Sequence, residues 1–477
     1  MNASVSNGRT GGAATLGVGE LAKLRATVDG PVLTADDDGY LAAGRLFNAA
    51  VEHTPEAIVQ VTSAADAAAA MRFARDRGLD VSVRGGGHGV VGHATAGRLV
   101  IDLSRLAGVT VDPSGRTTRV GGGATWGGVD TATQEYGLAT PGGRVTHTGV
   151  GGLTLGGGQG WLSSRYGLTI DNLVEVELVT ADGRVVTASQ TSEPDLFWAV
   201  RGAGANFGVA TSFTFGLHEV GPTILGGLLI FTPDKAADLV RAFDEFVTTA
   251  PDDFGGALAF MSAPPAPFVP PEAVGMPIAV AVVAWFGDLD AGQRTLAPLR
   301  AFGPPMMDLI GPMPYTALQS IIDDGNPFGL RNYWTAGYVS QITDAFIADT
   351  VEVSLNRPSP LSTVLLAPMG ASVARVSQDA TAFGHREARY LFHPLAMWTD
   401  PDADEANVGW ARRTMAAAAP HTAAGTYLNA DGDQTDADRV RFAFGAAPYG
   451  RLVGLKRTWD PDNVFHHNAN IDPTAQV

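Results

Sequence analysis

The 477-residue chain contains no cysteine. That absence excludes disulfides, thiolate metal sites and a cysteine nucleophile together. Charged side chains make up only 17% of the chain. No apolar run reaches the roughly 18 residues that a membrane-spanning helix needs, so a membrane partner is not expected. Basic residues number 32 against 49 acidic ones, and the net charge of −17 opposes binding to nucleic acid, whose phosphates are neutralised by Lys and Arg. The opening MNASVSNGRTGGAATLGVGE has neither a basic start followed by an apolar stretch nor a twin arginine, which reads as a flexible tail on a cytoplasmic protein. The length suffices for two domains with full cores.

What is plentiful is glycine, and its placement is informative. Arg84 to Gly89 read RGGGHG directly after a strand-like Asp80-Val-Ser-Val83. Consecutive glycines permit φ > 0 and turn backbone N–H groups toward one point, a geometry that cradles an anion such as a pyrophosphate. His88 is then held beside whatever binds, although a plain turn that happens to carry a histidine fits the hexapeptide as well. An apolar strand is predicted over Leu99 to Leu103, a second running into glycines from Thr118, a helix over Gly128 to Tyr136 and a surface helix over Ala64 to Arg77. Between Pro141 and Asn172, glycine recurs at 142, 143, 149, 151, 152, 156, 157, 158, 160 and 167. That density predicts no ordinary helix or strand and implies a backbone closely approaching a large flat ligand.

Two competing chemistries are tested by the same residues. Gly202 to Gly208 and Gly121 to Gly123 do not match G-x-G-x-x-G, and a strand-like Val209 to Phe215 follows the first where a nicotinamide-binding unit needs a helix. His466-His467 and the His88/His93 pair lack carboxylate or thiolate companions at ligand spacing, so no metal is expected.

The order RGGGHG, VIDLS, HTGVGGLTLGGGQGWLSSRYGLTIDNL, EVELVTADG, PDLFWAVRGAGANFGVAT, with GTYLN and YGRLVGLKRTWDPDNVFHHNANI near the end, resembles the FAD-linked oxidases of the vanillyl-alcohol oxidase / p-cresol methylhydroxylase superfamily. Within them the chain is most similar to the berberine-bridge-enzyme branch, from about residue 30 onward. The resemblance implies an α+β, two-domain PCMH-type FAD-binding fold with a substrate domain built on an antiparallel sheet flanked by helices. The expected division is a tail at 1–29, an FAD-binding domain at 30–221, a substrate domain at 222–419 and a return segment at 420–477. Strand-like Ile278 to Trp285 and Ser362 to Ala367, and helical Lys235 to Thr249 and Glu405 to Ala418, fit the substrate domain.

The resemblance also assigns roles. The amides of Arg84, Gly85, Gly86, Gly87 and Gly89 would hold the FAD pyrophosphate, and His88 would bond to the flavin 8α-methyl. Many relatives add a cysteine link, but Val145 occupies that place, leaving His88 alone. Thr148, Gly149, Gly151, Gly152, Gly156, Gly157 and Gly160 would line the flavin and pyrophosphate, Val209 would meet the adenine half through its main chain, and Asn429 and Asn468 would offer amide hydrogen bonds. Thr148 would gate dioxygen. Tyr427 would be the general base with a pKa lowered by its neighbours, because Leu365 stands where relatives often carry a carboxylate. Trp334, Tyr338, Met369, Tyr315, Tyr333 and Trp398 would suit an aromatic-lined cleft. The implied activity is oxidation of a carbinol or activated C–H of a hydrophobic natural product or sugar-bearing small molecule, with dioxygen reduced to hydrogen peroxide. The alternatives are an oxygenating enzyme of the enterocin-pathway type, working through a flavin-N5-oxide, and a flavin-bearing binding protein without turnover.

Overall fold

The computed structural model describes residues 15–266, 269–423, 425–434 and 436–476. Three sheets organise it. A four-stranded sheet runs in the order Val32–Leu33, Ala57–Gln60, Leu99–Asp102, Val81–Arg84, its last three strands parallel. A five-stranded antiparallel sheet runs Val109–Asp112, Thr117–Gly121, Val209–Gly216, Leu173–Val179, Val185–Ser189. The third sheet has nine strands and is antiparallel throughout, with Thr223–Phe231, Pro277–Trp285, Phe254–Ser262, Thr363–Pro368 and Tyr390–Trp398 adjacent in that order.

The large sheet explains the apolar run at Ile278 to Trp285. Strand residues alternate between faces, and a strand covered on both reads as continuously apolar. Ala281, Val283, Leu258, Phe260, Phe346 and Trp410 share one core with the helices Ala236–Thr249, Asp344–Leu355 and Asp404–Ala418. The opposite face carries small residues, Ala257, Ala259, Val280 and Val282, packed with Trp161 and Leu162 from the glycine-rich stretch. Small side chains there let the first half of the chain approach the sheet closely. The C-terminal helices Ala437–Phe444 and Ala446–Trp459 return to the five-stranded sheet, where Leu452 and Val453 pack with Phe197, Phe213 and Phe215.

Three sequence expectations change. The expected tail extends too far, because Val18–Arg25 is a helix, and Leu16 and Leu24 are buried with Met71 and Phe73; residues 1–14 lie outside the described residues. The glycine-rich stretch does contain helix, at Val150–Leu155 and Ser163–Tyr166, since Val150, Leu153 and Leu155 gain enough burial to offset glycine's conformational entropy. The helix predicted to lie at the surface is also less solvated than expected, since its Asp66 is buried. Its carboxylate accepts from the amides of Asp29 and Thr62, 2.8 Å each.

Candidate active site

The strand Val81–Arg84 delivers the RGGGHG loop to the junction of the three sheets. Only Gly87 of the triplet has a left-handed backbone, at φ +66°. Gly86 is needed for another reason: a Cβ there would stand 2.6 Å from the Cα of Gly149, and one on Gly149 would stand 2.4 Å from the nitrogen of Gly86. The two glycine motifs therefore touch backbone to backbone. Arg84 is turned away from any ligand, its guanidinium 3.1 Å from the buried Asp102 carboxylate and donating to the Arg45 carbonyl at 3.2 Å. Its expected cofactor role is thereby confined to the main chain.

A cavity of about 110 Å³ opens beside this contact, lined by Gly85, Gly122, Gly151, Gly152, Gly208 and Asn468. A Cβ on Gly89 or Gly152 would meet nothing within 4 Å. Asn468 donates through Nδ2 to the carbonyls of Ala205 and Phe465, while its Oδ1 is buried without a partner. Gly208 and Ala210 line the cavity and the intervening Val209 side chain is buried in the core behind them, which leaves Val209 its main chain only. An extended nucleotide held by amides and one orphaned carbonyl oxygen fits this lining.

The second run of glycines behaves differently. A Cβ on Gly156 would stand 2.0 Å from Asn429 Oδ1, on Gly157 2.7 Å from Phe383, and on Gly160 1.8 Å from the Gly142 carbonyl. On the side where a side chain would project, these glycines are closed by protein, so only their main chains are left to line a ligand. Asn429 is likewise committed to protein, its Nδ2 donating to the Leu153 carbonyl at 2.9 Å and to the Tyr427 hydroxyl at 3.0 Å.

His88 stacks on Phe47, with ring centroids 4.0 Å apart, and on His147 at 5.1 Å. Its Nε2 is buried and unpartnered. Burial, with His147 adding to it, pushes the His88 pKa down to about 3, so the imidazole is neutral. Thr148 follows His147 directly, half-buried and held by its main chain, which accepts from Trp126 and donates to Val145, 3.1 Å each.

Over the far side lies the small-residue face of the large sheet. Leu365 pairs across the strands with His393. His393 Nε2 is buried and unpartnered, and burial, aided by the Arg144 charge, lowers its pKa to about 3. Tyr427 OH accepts from the amide of Gly158 at 3.0 Å. Burial raises the Tyr427 pKa above its ordinary range, although the Asn429, Gly158 and Gln159 donors and Arg144 pull the other way. The expected lowering is thus reversed, because burial penalises the phenolate more than these donors favour it. Of the six candidate cleft aromatics and methionine, Trp334 lies 5.5 Å from the His393 ring and Met369 Sδ is 3.5 Å from Gln159. Tyr315 is packed in the core, Tyr338 stacks on His385, Tyr333 bonds Asp433 and Trp398 bonds Asp404. Sequence reasoning missed Arg144, His147 and His393. The signal for His393 was a single histidine in the apolar strand YLFHPLAMW, at a position that alternation places on the face opposite Phe392.

Comparison with known proteins agrees with this arrangement. Residues 55–189 match the model of an FAD binding domain, and residues 426–472 match "Berberine and berberine like". The chain is 31% identical to (R)-6-hydroxynicotine oxidase of Paenarthrobacter nicotinovorans, covering 94% of this chain and 97% of that protein. The chain belongs to the berberine-bridge-enzyme-like FAD-linked oxidoreductases. An FAD-linked oxidoreductase of Dictyostelium discoideum is also 31% identical, covering 94% of this chain and 95% of the relative. The crystal structure of 6-hydroxy-D-nicotine oxidase from Arthrobacter nicotinovorans superposes with a TM-score of 0.84 at 31% identity, covering 94% of this chain and 98% of that one. As a member of this family the chain is an enzyme with a PCMH-type fold, and the alternative of a binding protein without turnover falls away.

The family's C-terminal segment is fixed here by a charge cluster that the sequence conceals. His466 Nε2 lies 3.1 Å and His467 Nε2 3.0 Å from the two oxygens of Asp80. The carboxylate judged missing from the histidine pair is supplied from the head of the Val81–Arg84 strand. Hydrogen bonds from both histidines hold the Asp80 pKa well below the carboxylate range, and Asp80 raises that of His466. A raised histidine pKa contributes stability that is present below about pH 6.5 and lost as pH climbs through the folded value; the depressed Asp80 contributes above about pH 4 and fails in acid. Asp80→Asn is therefore expected to lower the melting temperature most near pH 5.5 and less at pH 9. An equal loss at both values, measured by thermal denaturation, would show that the charges do not matter.

Proposed function

We propose that the enzyme is an FAD oxidase that takes a hydride from a carbinol or activated C–H of a small hydrophobic or sugar-bearing molecule, the electrons passing to dioxygen with release of hydrogen peroxide. The observation that carries this reading is His88, a neutral, buried imidazole with an unpartnered nitrogen at the end of a glycine loop whose Gly85 lines the glycine-rich cavity. A relative named for oxidising 6-hydroxynicotine supports a small substrate. FAD supplies the two-electron acceptor; the protein supplies position, orientation and proton transfer.

A free imidazole lone pair is what a bond to the flavin 8α carbon requires, and Phe47 and His147 hold the ring in one plane. The attachment is therefore assigned to His88 alone. Acid-precipitated protein is expected to keep its flavin, with one FAD mass on the peptide containing His88, while His88→Ala binds FAD through the glycine motifs and oxidises more slowly. Free FAD in the supernatant of the parent protein would remove the bond.

The proton of a substrate hydroxyl needs an acceptor that is empty at neutral pH. Tyr427 keeps its own proton, so its hydroxyl orients substrate, whereas His393 Nε2 is free and stands across the strands from Leu365, where relatives often place an acid. His393→Asn is expected to slow anaerobic flavin reduction by roughly 100-fold or more with FAD content unchanged, and Tyr427→Phe by about tenfold or less, the share of one hydrogen bond. The reverse ranking in stopped-flow reduction returns the base to Tyr427.

Thr148 adjoins the rings stacked on His88 and is assigned the oxygen gate. Thr148→Ile should slow reoxidation by dioxygen and leave anaerobic reduction nearly unchanged; identical reoxidation at every oxygen concentration removes it from that role. A threonine ahead of this glycine run also supports a second reading, oxygenation of the enterocin-pathway kind. Peroxide yield equal to substrate consumed separates oxidase from oxygenase.

A further inference from the structure

Most buried charges in this chain are answered by a partner. Arg386 has Asp171 at 2.7 Å, and Lys456 has Asp460 at 2.6 Å. Arg144 is different. It is part-buried inside the glycine-rich stretch, its guanidinium lies 5.0 Å from the centre of the Trp161 ring, and it makes no hydrogen bond or ion pair among the described residues; its Nε is wholly enclosed. Burial lowers its pKa only to about 10, so the cation persists at neutral pH. The facing π cloud gives a desolvated cation partial compensation, well short of a counter-ion.

The neighbouring polar atoms are unpartnered too. His393 Nε2 and Trp161 Nε1 are both buried without a hydrogen bond among the described residues. The Trp161 ring faces the guanidinium and His393 lies within reach of its field. Buried polar atoms in folded proteins are nearly always satisfied, so an unanswered cation beside two orphans marks where a polar molecule belongs. One cation, one indole donor and one neutral imidazole match a ligand with an anionic end and a hydroxyl or amine.

We infer that Arg144 docks a carboxylate or similarly acidic group of the substrate, seated between the guanidinium and Trp161 Nε1, with the oxidisable carbon held toward His393. The inference rests on the proposed oxidase reading, and narrows its substrate to organic acids or molecules carrying an acidic substituent. Arg144 thereby also serves the reaction. While its charge is unanswered it adds to burial in opposing protonation of His393, and a bound anion offsets that share of the opposition.

The test uses the flavin-loaded enzyme and two probes of one shape, benzoate and benzyl alcohol, followed by perturbation of the flavin absorbance. Benzoate is expected to bind the parent, and Arg144→Gln to weaken it by roughly tenfold or more, with Arg144→Lys recovering part of the loss and benzyl alcohol indifferent to both changes. Absence of a benzoate perturbation in the parent, or equal benzoate affinity in parent and Arg144→Gln, overturns the assignment. Dithionite reduction of the flavin in each variant separates a lost anion site from a lost cofactor. Peroxide production from neutral alcohols at undiminished rate in Arg144→Gln, together with equal benzoate affinity in parent and variant, would leave the oxidase reading standing while removing the anion site.

Discussion

The close contact between Gly86 and Gly149 is the constraint on which the site depends. Two backbone segments, one leaving a parallel sheet and the other entering a short helix, meet at a distance that no Cβ tolerates. Their contact puts His88 and His147 in one stack and opens the cavity at Gly85, Gly151 and Gly152 on the other side. A side chain at either position would force the segments apart, separating His88 from the glycine-lined cavity. Glycine is needed here for proximity, and a left-handed backbone only at Gly87.

The large sheet supplies the other half. Its bulky face is sealed by three helices, and its small-residue face receives Trp161 and Leu162. The two-sided burial makes the sheet a rigid wall against which His393 is set. Holding a neutral imidazole in a dry strand environment costs little compared with burying a carboxylate there, which fits a strand pair in which Leu365 is apolar and its cross-strand neighbour His393 carries the polar group.

Charges are used sparingly and in two ways. Lys456 ties the last helix to the carbonyls of Asn206 and Phe465 and to Asp460, and Asp80 clamps His466 and His467, so the C-terminal segment forms one wall of the glycine-lined cavity, Asn468 included. These are pairs whose partners are both present in the chain. Arg144 has no such partner among the described residues, and the same low dielectric that strengthens a pair makes a lone cation expensive. That unanswered charge, beside the unsatisfied His393 and Trp161 atoms, is what the proposed anion site rests on.

The sequence by itself determined the family, the glycine motifs, the loop that presents His88, the absence of any thioether attachment and the main helices and strands of the second half, because these follow from local residue type and period. Helix over Ala236–Thr249 and strand over Pro277–Trp285 were legible in that way. Only the tertiary structure decided which glycines border open space and which are closed by protein, since Gly152 and Gly160 look alike until their neighbours are known. It also reversed the direction of the Tyr427 pKa, supplied Asp80 to His466 and His467 from far upstream, and gathered Arg144, Trp161 and His393 into one place. Burial and long-range proximity set those properties, and neither is carried by local pattern.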